Sequence, residues 1–233
     1  MRLAVIPARG GSQRIPRKNI RFFLDKPIIA YSIEAARASA CFDHIVVSTD
    51  DEEIAGIARQ LGAEVPFMRP AELADAHTGT NAVVRHAIEW HKNNAEEVTF
   101  ACCIYATAPF VTAAALRRGF DVLQGSGKSY AFSVTSFPFP VQRAMRRHPD
   151  GSIEAMYPEF EEVRSQDLEE AFQDAGQFYW GTAEAFLAGQ RLFGRDSLGV
   201  VLPRHLVQDI DTEEDWIRAE HMYRVAMEPG PAC

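Results

Sequence analysis

The chain contains no apolar run long enough for a membrane-spanning helix, which needs about 18 residues or more. Met1 leads straight into a short apolar segment, with no basic stretch followed by a long apolar one, so no secretory leader is expected. Cysteine is scarce: the four residues form no C-x-x-C pair. Cys102 and Cys103 are neighbours in a strand-like stretch, so their side chains should face opposite ways and cannot share a metal. Buried, reduced thiols are expected. The seven histidines, at positions 44, 77, 86, 91, 148, 205 and 221, show no H-E-x-x-H or other zinc spacing. There is no G-x-S-x-G elbow and no G-x-G-x-x-G, so hydrolytic serine chemistry and dinucleotide redox chemistry lack support. No internal repeat or low-complexity segment is present. Basic residues are the minority, 24 against 32 acidic for a net charge of -8, which argues against nucleic acid or a membrane surface as partner. A cytoplasmic protein acting on small molecules is the expectation.

What is present is an alternation. With 233 residues and 47% hydrophobic content, the chain can bury one sizeable core, and a single domain over residues 1–233 is expected. Strand-like segments at Leu3–Pro7, His44–Thr49, Thr99–Tyr105 and Tyr130–Ser136 are separated by helical patterns. Those patterns run from Pro27 to about Ala40, Glu52–Leu61, Thr80–Asn93 and Thr112–Leu123. Asp50 and Asp51 precede the second helix as caps, and Gly62 stops it. This βαβα order predicts an α/β fold with a mostly parallel sheet and helices on both faces. From Phe137-Pro-Phe-Pro140 to about Gln173 the period is lost. Residues 138–173 read as an inserted arm, either a contact with a second subunit or a lid. Gln177–Trp180, a short helix over Thr182–Ala188 and Gly199–Pro203 return to the sheet pattern, and Thr212–Met227 is a last amphipathic helix with a frayed tail beyond it.

Two constellations carry chemistry. The first strand runs into Arg9-Gly10-Gly11-Ser12, and Arg9, Arg14, Arg17 and Lys18 lie within ten residues. Such a cationic patch on an acidic chain calls for an anion. Gly10 and Gly11 would let backbone N–H groups approach it, and Ser12 adds a hydroxyl. A nucleoside triphosphate has the right size and charge; a basic surface turn is the alternative. The second constellation is Gln208-Asp209-Ile210-Asp211-Thr212. Carboxylates at i and i+2 of an extended segment point the same way and suit Mg²⁺, a hard cation with oxygen ligands. Capping of the last helix by Asp211 or Thr212 is the alternative. Val122–Ser129 ends like a phosphate loop but lacks its first glycine and runs helix to strand, so a plain turn is expected there. Ligands of parallel α/β sheets sit at the carboxyl ends of the strands, where the glycine loop lies.

Together these residues resemble the cytidylyltransferases that activate nonulosonic, sialic-type acids. Ile6-Pro-Ala-Arg-Gly-Gly-Ser12 with Ile15-Pro-Arg-Lys-Asn19 is similar to that family's opening motif. Phe42–Asp50, Arg69-Pro-Ala-Glu-Leu73 and Asp209-Ile-Asp211-Thr212 match in the expected order. Tyr105-Ala-Thr-Ala-Pro109 and Asp174-Ala-Gly-Gln-Phe-Tyr-Trp-Gly181 depart from the sialate members and resemble the pseudaminic acid branch. The resemblance implies a Rossmann-like nucleotidyltransferase fold of GT-A type, CTP as co-substrate, Mg²⁺ dependence and a homodimer built through the arm. It implies that Ala8, Arg9, Gly10, Gly11, Ser12, Lys18 and Asn19 hold the CTP phosphates and ribose, with Arg69 and Thr80 near the cytidine. Lys18, Arg9 and Asp211 would be catalytic, and Asp209 and Asp211 would hold the metal. Tyr105, Thr107, Arg164, Gln166 and Gln177 would face the sugar acid, whose carboxylate would meet Arg164 or Lys26. Gln13 and Arg14 stand where many members have Lys-Gly. The implied reaction transfers CMP from CTP to a nonulosonic acid, pseudaminic acid first, with sialic or legionaminic acid as alternatives. An Asp-x-Asp glycosyltransferase and a noncatalytic nucleotide-sugar sensor are the more distant ones. The general base stays open between Asp211, a metal-bound hydroxide and none.

Overall fold

Short β-branched, apolar stretches separated by amphipathic helices fold as their alternation dictates. The computed structural model describes residues 1–12, 14–75, 78–94 and 97–227. In chain order the elements are β1 (Arg2–Pro7), β2 (Phe22–Phe23), β3 (Lys26–Pro27), α1 (Ile28–Ser39), β4 (His44–Ser48), α2 (Glu52–Gln60), α3 (Thr80–Asn93) and β5 (Phe100–Ile104). There follow α4 (Ala113–Ser126), β6 (Tyr130–Ser136), β7 (Met145–Arg147), β8 (Ile153–Ala155), β9 (Phe172–Thr182), α5 (Ala183–Leu187), β10 (Ser197–Val201) and α6 (Glu213–Met227). Gln13, His77, Cys233 and the tail beyond Met227 lie outside the described residues.

Six strands form the main sheet in the order β10-β6-β9-β5-β1-β4. β1 runs parallel to β4 and β5, and β10 parallel to β6. The sheet is mostly parallel, as expected; the exception is β9, which is antiparallel to both β5 and β6 and begins at Phe172, inside the last residues assigned to the arm. Its period was hidden by a wide bulge. Asp174 pairs with Val134 and Tyr179 with Phe132, so four residues of β9 face the single Ser133.

The sheet has apolar layers on both faces. Cys102 packs in the layer of Ile6, Leu116, Phe120 and Trp180. Cys103 packs in the opposite layer, with Leu3, Val84, Ile88 and Tyr179. Neighbours on one strand thus point to opposite faces, and Cys41, Cys102 and Cys103 are buried free thiols. Gly127, with φ of 66°, ends α4 as an ordinary C-cap, which removes the phosphate-loop reading of Val122–Ser129.

A third apolar cluster positions the site. The β2–β3 hairpin carries Phe23, whose ring meets Tyr31, Trp216 and Tyr223 edge-on at 5.5, 5.7 and 5.6 Å. Such pairs contribute about 0.5–1.5 kcal/mol each beyond area burial. Arg21 lies 4.5 Å over the Trp216 ring and pairs with Glu213 at 2.5 Å. Ile210 is fully buried in the same cluster. This contact clamps the segment before α6 against the loop after β1. The arm leaves the sheet after β6, its neck closed by Phe137 N–H donating to Ala171 C=O at 3.1 Å, and contains the two-stranded β7–β8 hairpin.

Candidate active site

β1, β4 and β5 end side by side, and a cleft of about 660 Å³ opens over their carboxyl ends. Arg9, Ser12, Arg14, Lys18, Asn19, Arg69, Thr80, Tyr105, Thr107 and Asp211 all line it. The basic loop near one end of the chain and an acid near the other therefore meet in one place. Four cations face the cleft against the two carboxylates of Asp75 and Asp211, so it is electropositive on an acidic chain.

Each cation is held by its own partners. Arg9 Nη1 donates to the Asp75 carbonyl at 2.8 Å, and buried Asn19 secures the loop by donating Nδ2–H to the Arg9 carbonyl at 2.9 Å. Lys18 Nζ donates to the Ile210 carbonyl at 2.8 Å and lies 3.4 Å from Asp211 Oδ1. Arg14 pairs with the same carboxylate at 2.9 Å. Arg69 is 6% exposed and donates Nε–H to Ser48 Oγ at 3.1 Å and Nη2–H to the Ser48 carbonyl. Burial lowers its pKa to about 10, leaving it a cation at neutral pH.

The glycine loop departs from expectation. The Gly10 amide does not face the cleft as a vacant donor; it donates to Asp50 Oδ1 at 2.9 Å. A Cβ at Gly10 would stand 2.8 Å from Asp51 Oδ2, so close packing on α2 is what this position demands. Gly11 has nothing within 4 Å of a built Cβ and does not line the cleft. Ala8 is fully buried behind the loop, its N–H on the Ser48 carbonyl at 2.9 Å. Arg17 is also turned away from the cleft. It adopts φ of 56° and grips Asp51 at 2.5 and 2.9 Å and Glu53 at 2.5 Å. Asp51 caps α2 by accepting from the Glu53 and Ile54 amides at 3.0 Å, and the Arg17 hydrogen bonds hold its carboxyl down at about 2.

Residues 209–211 alternate: Asp209 is exposed, Ile210 buried, Asp211 on the cleft wall. Thr212 caps α6, accepting from Asp215 N–H at 3.2 Å while Asp215 accepts from Thr212 N–H at 2.8 Å. Capping therefore uses Thr212 and leaves the Asp211 carboxylate to the cleft. The Asp209 carboxyl is pushed up from the ordinary range by desolvation and by the Asp211 charge, against the pull of Lys18. Asp211 lines the cleft, whereas Asp209 does not. Among the described residues no group of three or more His, Cys, Asp or Glu converges.

Of the residues expected to face a sugar acid, Tyr105 and Thr107 line the cleft. Arg164 and Gln166 do not; they lie on the arm, where Arg164 is exposed and pairs with Asp167 at 2.8 Å. Gln177 is buried, its Nε2 donating to the Leu206 carbonyl at 2.5 Å and its Oε1 left without a hydrogen bond. Lys26 does not line the cleft; it pairs with Glu34 at 2.6 Å and lies 4.2 Å over the Tyr31 ring. A second hollow of about 290 Å³ adjoins the cleft through Thr80 and Tyr105 and is walled by Asp174, Tyr179 and Phe193 among others. Sequence reasoning missed it, as it missed Asp75 and the Asp50–Gly10 bond. The Asp174–Gly181 stretch was the available signal.

A family model described as "Cytidylyltransferase" matches residues 3–146. Pseudaminic acid cytidylyltransferase of Campylobacter jejuni subsp. jejuni serotype O:23/36 is 43% identical over 223 residues, covering 96% of each chain. CMP-N,N'-diacetyllegionaminic acid synthase of Legionella pneumophila is 33% identical over 97% of each chain. Among solved structures, CMP:2-keto-3-deoxy-manno-octonic acid synthetase complexed with CTP superposes with a TM-score of 0.70 at 13% identity, over 97% of this chain and 99% of that one. At that identity the likeness speaks for the fold alone.

Proposed function

The chain belongs to the cytidylyltransferase family, and from that premise we propose that it transfers CMP from CTP to a nonulosonic acid, pseudaminic acid first, releasing pyrophosphate. The observation that carries this reading is the meeting of Arg9, Lys18 and Arg69 with Asp211 in one electropositive cleft. Cations there suit a triphosphate. The 43% identity to a pseudaminic acid enzyme supports the choice of acceptor.

The anomeric hydroxyl oxygen of the acid attacks the α-phosphorus in line. The new O–P bond forms as the bond to the β-phosphate bridge breaks, and pyrophosphate departs with the electron pair while the hydroxyl proton is lost. The protein does little covalent work, so positioning and charge stabilisation dominate. Lys18 neutralises charge building on the α-phosphate. Arg9 and Arg14 hold the outer phosphates, Asn19 keeps the loop in place, and Arg69 and Thr80 border the nucleoside. Asp209 and Asp211 would hold Mg²⁺, which would supply charge neutralisation for the phosphates. Tyr105 and Thr107 border the acceptor, which extends into the adjoining hollow.

Phe139, Met145 and Ile153 on the arm are 79%, 64% and 62% exposed, which supports a homodimer joined through the arm. Light scattering on an eluting peak, which should give about two chain masses, tests it. A consumer of CTP also fits the cytoplasm, and no helix among the described residues is long and apolar enough to cross a membrane. The deciding experiment is pyrophosphate release from CTP across pseudaminic, legionaminic and sialic acids. Highest kcat/KM with pseudaminic acid is expected; no release with any of them overturns the reading.

A further inference from the structure

The hollow beside the cleft has a different electrostatic character. Among the described residues Asp174 is the one charged group on its wall, which also carries Thr80, Asn81, Tyr105 and Tyr179 with apolar Leu192 and Phe193. The bulge in β9 places this carboxylate. Ser133 Oγ fills the gap opposite the bulge and accepts from the Phe178 and Gln177 amides at 3.2 and 3.3 Å. Gly176 supplies the turn, at φ of 62°, and donates its N–H to Asp174 Oδ1 at 2.9 Å. The strand doubles back enough for Tyr179 OH to donate to Asp174 Oδ2 at 2.7 Å. The Tyr105 ring packs on that of Tyr179 with centroids 5.2 Å apart, and Tyr105 lines both the hollow and the cleft, which sets the carboxylate close to the nucleotide cleft. Each Asp174 oxygen has one donor and an acceptor site to spare, and the residue is solvent-exposed.

A lone carboxylate beside an apolar wall, next to a cationic cleft, sorts the groups of an acidic acceptor. It repels the acceptor's carboxylate, which is thereby turned out of the hollow toward the electropositive cleft. It attracts N–H donors, and Leu192 and Phe193 offer a surface for the acyl methyl group that accompanies an amide N–H. Resting on the acceptor reading above, we propose that Asp174 is a specificity-determining residue that accepts a hydrogen bond from an acylamino N–H of the sugar acid. It thereby selects an acylamino substituent over one that lacks a donor and sets the direction in which the acid lies.

Paired acceptors differing only in one substituent, acylamino or the O-acyl group that keeps the methyl but has no N–H, test this with wild type, Asp174→Ala and Tyr179→Phe. A charge-assisted hydrogen bond corresponds to about 10–100-fold in affinity. In Asp174→Ala the acceptor KM should rise by about that factor, kcat and the KM for CTP should hold, and the preference for acylamino should collapse toward unity. Tyr179→Phe removes the internal hydrogen bond but keeps the charge, so the preference should survive. The proposal is overturned if folded Asp174→Ala keeps the wild-type preference, or if Tyr179→Phe shifts it equally, which would make Asp174 only a brace for the tyrosine. Absence of pyrophosphate release by wild type with every acid instead removes the functional reading itself, and this one with it.

Discussion

The Lys18 ammonium lies 2.8 Å from the Ile210 carbonyl and 3.4 Å from the Asp211 carboxylate, across 192 and 193 positions of sequence. No local spacing links these residues. Phe23 on Trp216, with Ile210 beneath, brings them together. The lysine is thus fixed at the seam between the basic loop and the acidic segment.

Replacing Lys18 by alanine should lower turnover by about 10²–10³, the usual loss on removing one donor that faces developing charge. Circular dichroism and the melting temperature should stay near wild type, because the side chain belongs to no apolar cluster. Near-normal kcat in the pyrophosphate assay would remove its assigned role.

On the proposed reading, Asp209 and Asp211 make the reaction metal-dependent. Chelation should abolish pyrophosphate release and Mg²⁺ should restore it. In Asp209→Asn the Mg²⁺ concentration for half-maximal rate should rise at least about tenfold, as expected when a group supporting a metal is lost. Titration of rate against Mg²⁺ reads this directly, and an unchanged midpoint would exclude Asp209 as a ligand.

The two glycines of the loop should behave differently. Gly10→Ala drives a methyl group to 2.8 Å from Asp51 Oδ2 and disturbs the cap of α2, so a loss of about 1–2 kcal/mol is expected. That corresponds to a fall of a few degrees in melting temperature for a chain of this size. Gly11→Ala meets nothing within 4 Å and should melt with wild type. Equal melting temperatures for all three proteins would contradict the packing account.

Acid stability should depend on Asp51. Its carboxyl is lowered from 3.8 to about 2, first by hydrogen bonding to Arg17. A depressed folded pKa means that the unfolded chain takes up the proton first as pH falls. The stabilisation is therefore complete above about pH 4 and is lost as pH drops toward about 2. Urea midpoints of wild type and Asp51→Asn should differ most near neutrality and converge at the acid end. A gap that widened on acidification would reverse the sign and refute the pairing.

Much of this molecule was legible in its residues. The β1, β4, β5 and β6 segments, α3 at Thr80–Asn93 and the α/β class follow from apolar periodicity, a local property of the chain. The charge of the loop at Arg9–Lys18 and the acid pair at Asp209 and Asp211 were also visible, because residue type and short spacing reveal them. Tertiary structure decided the rest. Arg17 and Gly10 serve α2 rather than the cleft, because Asp51 approaches from a helix that spacing along the chain cannot locate. Lys26 pairs with Glu34 and lies over Tyr31, off the cleft wall. β9 runs antiparallel, and its bulge turns Asp174 toward a hollow that no periodicity announces. Local pattern determines which segments become strands and helices, whereas packing between distant segments decides which charges face one another, since that energy exists only after the chain has folded.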